Sequence, residues 1–76
     1  MMCNFCYLTR TDVMRVRDGD HLAEKLRSFA RVKYRYLPEY GEFYICPTCL
    51  GEFSHPSHEL ELQMRADMRA HGIPWH

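Results

Sequence analysis

All four cysteines of this 76-residue chain fall in two CxxC pairs, Cys3 and Cys6 in "MCNFC" and Cys46 and Cys49 in "FYICPTCLGEF". Three chemistries use such pairs. A redox dithiol needs a single pair, usually at the head of a helix in a thioredoxin-like βαβ unit, and this chain has two pairs and is too short for that fold. A disulfide framework belongs to exported proteins, and the opening "MMCNFCYLTR" lacks the basic lead and apolar core of a signal peptide. The third chemistry is structural zinc. Tetrahedral Zn²⁺ takes four thiolate or imidazole ligands at about 2.0–2.3 Å. One CxxC turn supplies two thiolates, with backbone N–H groups placed to donate to the sulfurs, and two such turns close the shell. Cys3, Cys6, Cys46 and Cys49 are therefore the expected zinc ligands, with iron as an alternative ion for the same donors. Two other arrangements stay open. "SHPSH" offers His55 and His58 for a Cys/Cys/His/His site with Cys46 and Cys49, and the four thiols can be oxidised and metal-free.

The metal also answers a size problem. A chain this short buries only about 60–65% of the surface its unfolded form exposes, so its core is marginal without a staple. Folding and metal binding are then expected to be one coupled event. No apolar run approaches the ~20 residues that span a bilayer. With the absent signal, this leads to the expectation of a cytoplasmic chain with reduced thiols and no membrane partner.

Between the pairs lie residues 7–45, more than the common zinc-ribbon spacings, so a further element is expected there. "VMRVR" at 13–17 reads as a short strand. "DGD" at 18–20 is a turn, with Asp20 as the N-cap of a helix from His21 to about Val32, its apolar face formed by Leu22, Leu26, Phe29 and Ala30. "RVKYRYL" alternates, with Val32, Tyr34 and Tyr36 on one side, and reads as a strand, with a continuation of the helix as the alternative. "PEYG" is a turn and "EFYI" a strand entering the second pair. Pro47 suits the first position of a short helical turn. Ser57 caps a helix over about 58–71, with Leu60, Met64 and Met68 on one face, and Gly72 and Pro74 stop it. The whole is expected to be one small α+β domain, treble-clef-like: first knuckle and strand in 1–19, inserted basic helix and strand in 20–37, strand and second knuckle in 38–53, C-terminal helix in 57–71.

These residues resemble the N-terminal C4 zinc-binding domain of the ClpX unfoldase, in "CNFC", "TRTDV", "VMRV" and "FYICPTC". The likeness covers 2–16 and 42–53, about a third of the chain. It implies Cys3, Cys6, Cys46 and Cys49 as zinc ligands, with Phe5, Val13, Tyr44 and Ile45 packed around the site. It also implies a protein-docking role and a homodimer, since that domain dimerises and binds adaptors and substrates. The central insertion has no counterpart in the family and no ATPase follows, so unfoldase activity is not implied. A likeness to HNH endonucleases stops at "GDHL", where His21 would activate water: the Asn that such enzymes place between that His and the second pair is missing, Asn4 being the one Asn in the chain. No enzymatic activity is expected.

Net charge is zero but unevenly spread. Residues 10–35 carry eight Lys or Arg against four Asp or Glu, and residues 36–76 carry two against six. This predicts a basic face and an acidic face. The candidate partner-binding residues are Lys25, Arg27, Arg31, Lys33 and Arg35, interleaved with Tyr34 and Tyr36, together with Trp75. On nucleic acid the cations would meet phosphates and the tyrosines would stack on bases. A neutral chain of pI 6.9 is a poor general nucleic-acid binder. Ten aromatic residues and five methionines exceed what so small a core can bury. The expected function is therefore an adaptor or regulator that docks on a larger protein assembly of transcription, replication or proteolysis, with nucleic-acid binding as the alternative. The size also fits a phage or mobile-element origin.

Overall fold

The β-branched "VMRV" and the aromatic-aliphatic "FYI" are the two stretches best suited to a pleated, half-buried surface. In the computed structural model, which describes residues 1–33 and 36–74, they form β1 (Met14–Val16) and β2 (Phe43–Ile45). The strands pair antiparallel, with Met14 opposite Ile45, Arg15 opposite Tyr44 and Val16 opposite Phe43. The period of two sends Val16, Phe43 and Ile45 into the core. Arg15 takes the other face and meets Glu42 at 3.6 Å. Three helices complete the order: α1 (Ala23–Val32) inside the β1–β2 connection, then α2 (Pro47–Ser54) and α3 (His58–Ala70). Among the described residues no helix is long and apolar enough to cross a membrane.

Helix α1 begins later than its sequence suggests. Asp20 does not cap it. Its Oδ2 accepts the Arg17 N–H at 2.8 Å and its own N–H returns to the Arg17 carbonyl at 3.0 Å, closing the 18–20 turn, and the N-cap is Leu22, which offers no side-chain acceptor. The helix ends where the sequence places its end: Val32 is its last residue, and the Lys33 N–H still reaches the Phe29 carbonyl at 2.9 Å. The expected strand over 32–36 is therefore not formed at Val32 and Lys33, and Tyr36 lies in no strand; Tyr34 and Arg35 fall outside the described residues. The cause is burial: Phe29 and Ala30 pack on the core, and their helical face holds the chain in register for another half turn.

The helical turn expected at Pro47 is a full eight-residue helix with Pro47 in its first turn. Helix α3 follows its signals. Ser57 Oγ accepts the Leu60 N–H at 3.2 Å, and Arg65 meets Glu61 at 2.8 Å. The chain leaves through Gly72 at φ 70, where the Ile73 N–H bonds back to the Met68 carbonyl at 2.8 Å. That is a Schellman stop, and it needs the left-handed conformation that glycine adopts without cost.

All four phenylalanines meet in one core. Phe5 and Phe29 have ring centroids 5.7 Å apart, Phe5 and Phe43 6.3 Å, and Phe29 and Phe53 5.7 Å. They join the first CxxC turn, α1, β2 and α2, and Leu26, Ile45 and Met64 complete the cluster. Most of the described tyrosines sort the other way: Tyr36 and Tyr40 are 80% and 79% exposed, Tyr7 is exposed as well, and Tyr44 is half-buried. A buried hydroxyl needs a partner and a phenyl ring does not.

Candidate metal centre

The first CxxC turn sits in a miniature hairpin. The Met1 amine donates to the Arg10 carbonyl at 2.9 Å and the Arg10 N–H returns to Met1 at 2.7 Å; further in, the Cys3 N–H bonds to Leu8 at 3.0 Å and the Tyr7 N–H to the Cys3 carbonyl at 2.9 Å. Closing so tight a turn forces Tyr7 to φ 61, a left-handed conformation that costs a non-glycine residue roughly 1–2 kcal/mol. Asn4 then stitches the turn to the sheet. Its backbone N–H donates to the Tyr44 carbonyl at 2.8 Å, and its Oδ1 accepts the Tyr44 N–H at 2.7 Å. The second pair is built on a helix terminus. Cys46 is the N-cap of α2 in extended conformation, Pro47 follows, and Cys49 lies in the first turn. The partial positive charge of that terminus favours thiolate over thiol.

The two turns bring the four Sγ atoms of Cys3, Cys6, Cys46 and Cys49 within 4.8 Å of one another. Cys3 and Cys49 sulfurs are 3.8 Å apart, as are those of Cys6 and Cys46. Four sulfurs bound tetrahedrally at about 2.3 Å from one ion would sit about 3.8 Å apart, so the donor set fits a metal ion. Those separations far exceed a disulfide bond of about 2.05 Å, and all four cysteines are free thiols. Cys3, Cys46 and Cys49 are buried and Cys6 is half-buried. Cys3 Sγ accepts the Phe5 N–H at 3.4 Å and the Cys46 N–H at 3.3 Å, as a thiolate ligand would.

The thiols differ in acidity. Burial pushes Cys46 up, but the Cys49 amide and the neighbouring sulfurs outweigh it and bring the thiol down to about 7. Burial dominates at Cys49 and raises it strongly. At Cys6 the Leu8 amide lowers the value, while burial and the Cys3 and Cys46 thiols together carry it above the ordinary range. Four sulfurs this close cannot all ionise without a cation among them, which is the electrostatic case for a metal.

The other expected site residues are placed differently. His55 and His58 are exposed, at the end of α2 and the start of α3, and neither joins the cysteine cluster. The basic stretch is not one exposed face. Arg27, expected on the surface, is 5% exposed. Its guanidinium donates to Asp18 at 2.7 Å and to the Pro38 and Gly41 carbonyls at 2.9 and 3.3 Å, and it lies 5.2 Å over the Phe43 ring. Arg31 reaches Asp67 of α3 at 3.4 Å, and Lys33 pairs with Glu52 of α2. Lys25 is half-buried and Tyr36 exposed. Tyr34, Arg35 and Trp75 lie outside the described residues. Phe5 and Ile45 are buried beside the cysteines, with Val13 and Tyr44 half-buried. The sequence does not mark Asn4, Arg10 and Asp18 as site-supporting residues, apart from one signal: an Asn inside a CxxC turn is a short amide that can bond a neighbouring backbone.

No family model, curated protein or solved structure matches this chain.

Proposed function

We propose that the chain is a zinc-stabilised docking module of treble-clef type, resembling the N-terminal zinc-binding domain of ClpX, which attaches to a larger protein assembly as an adaptor or regulator and performs no catalysis itself. The observation that carries the metal reading is the convergence of four sulfurs from a hairpin knuckle and a helix N-terminus, joined through an antiparallel strand pair. Four thiolates with no imidazole or carboxylate suit zinc, and a closed four-ligand shell suits a structural rather than a catalytic site.

The charge distribution supports a protein partner over nucleic acid. Arg27 is buried, and Arg15, Arg31 and Lys33 each face a carboxylate from the acidic half, namely Glu42, Asp67 and Glu52. Cations already paired within the molecule release few counterions from a phosphate backbone. Meanwhile Met1, Met2, Tyr7 and Leu8 are exposed around the first knuckle, the kind of side chains enriched where proteins meet. The test has two arms. Elemental analysis of the purified chain should give one zinc per molecule, and iron in its place would overturn the zinc assignment. Binding of the purified chain to random duplex and single-stranded nucleic acid should be weak at low salt. Tight, salt-sensitive binding without a protein partner would overturn the docking reading in favour of nucleic-acid recognition.

A further inference from the structure

Arg10 joins the two halves of the cysteine cluster in a way that the packing of the core does not require. Its backbone closes the base of the first knuckle through the paired bonds with Met1. Its side chain is fully committed in direction: Nε and Nη2 grip the Asp12 carboxylate at 2.8 and 2.7 Å, and Nη1 donates to Thr48 Oγ1 at 3.2 Å. Thr48 lies between Cys46 and Cys49 in the second knuckle. The guanidinium is thus aimed by one carboxylate and attached to the other CxxC turn.

We infer that Arg10 is a positioning residue of the metal centre: it straps the first knuckle to Thr48 of the second and holds a fixed positive charge beside the four thiolates, and so slows loss of the metal. The inference rests on the metal reading above. Four thiolates around one divalent ion carry a net charge of −2, and nothing in the apolar core neutralises it. An arginine stays protonated at any pH the protein meets; Asp12 takes its Nε and Nη2, and its Nη1 is the edge turned to the second knuckle. A thiolate leaves the metal when a chelator draws the ion away. A cation held nearby stabilises the anionic sulfur that holds it. Groups that orient and tune ligands from just outside the shell commonly change metal affinity by about 10–100-fold when removed. Arg10 is partly exposed, which points to the lower end of that range.

The experiment uses the full chain loaded with Zn²⁺. Release to a coloured chelator is timed at one fixed pH for the wild type, Arg10→Met, Arg10→Lys and Thr48→Val. Arg10→Met should release zinc about tenfold faster. Arg10→Lys should recover part of this effect, because it keeps the charge and loses the fork. The difference between wild type and Arg10→Met should shrink in about 1 M salt, where the Debye length is about 3 Å; a purely structural defect would not respond in this way. Thr48→Val should release faster by a smaller, salt-independent factor. Co²⁺ substitution shows whether each variant assembles the tetrathiolate. Should Arg10→Met take up no cobalt, the lysine and valine variants carry the same comparison. A wild-type release rate in Arg10→Met would overturn the inference while leaving the metal reading intact. An Arg10→Lys as fast as Arg10→Met, with no salt dependence, would overturn it too. A wild type that takes up neither ion would overturn the metal reading and this inference with it.

Discussion

A charged group in the core sets the most demanding local requirement in this molecule. Arg27 is buried with Asp18, two backbone carbonyls and a phenyl face as its partners. The planar fork satisfies groups on several sides at once, and an ammonium cannot reproduce it. Arg27→Met should destabilise the metal-loaded protein by about 2–3 kcal/mol, since it leaves the Pro38 and Gly41 carbonyls without their donor, and Arg27→Lys should not restore it. Urea unfolding midpoints decide this. Asp18 makes the matching prediction in pH. The Gly41 N–H at 2.5 Å, and then Arg27, hold its carboxyl below the ordinary range. A folded value depressed below the unfolded one means stability that is fully present above the unfolded pKa of about 3.9 and is lost as pH falls through the folded value. Asp18→Asn should be less stable than wild type at neutral pH, and the gap should close on acidification below about pH 4. Taking the difference between the two proteins removes the effect of thiolate protonation, which both share. A gap that is constant with pH would show that the carboxylate's charge has no role.

Among the elements, α3 is held by its face more than by its ends. Met64 and Met68 are fully buried against the rest of the fold, and α1 is the element that α3 packs on. Met64→Ala should cost about 2–5 kcal/mol through lost burial and the cavity left behind. Ser57→Ala removes one capping bond and should cost about 1 kcal/mol. Thermal or urea unfolding of the two variants should rank them in that order; equal losses would mean that α3 docks more loosely than its buried methionines imply. The inserted α1 is positioned by the same logic. Its Arg31 and Lys33 point to α3 and α2 and meet their carboxylates at half-exposed sites, where each pair contributes at most about 1 kcal/mol. Burial of Leu26, Phe29 and Ala30 carries the insertion, and the ion pairs fix its orientation.

At the scale of the whole molecule, stability and metal are expected to be inseparable. Cys3, Cys46 and Cys49 are core residues as well as candidate ligands, so losing the ion would leave mutually repelling or protonated sulfurs at the centre of a very small core. Chelation under reducing conditions should unfold the chain, read as collapse of amide dispersion in its NMR spectrum, and restoring the metal should refold it. Cys46→Ser and Cys3→Ser should be equally damaging, since each removes one of four donors. A folded, reduced, metal-free protein would refute the coupling.

The metal-site residues were legible because ligand chemistry is local. A CxxC turn can offer two sulfurs wherever it stands, and only two such turns exist, so their meeting needed no knowledge of the path between them. Periodicity likewise marked α3 and the apolar face of α1, because burial of Leu26, Phe29, Met64 and Met68 repeats with the helix turn. The fate of the charges could not be read this way. Arg27, Arg31 and Lys33 look alike in sequence, and which one is buried depends on where Asp18, Pro38 and Gly41 arrive after the chain has doubled back through β2. The strand expected to begin at Val32 fails for a related reason. A few alternating residues at 32–36 satisfy a strand pattern, but the neighbouring Phe29 face is anchored in the core, and that long-range packing outweighs a short local preference. Arg10 shows the same division: its charge is plain in the sequence, but its reach across to Thr48 exists only once the sheet and α2 have set the two knuckles side by side.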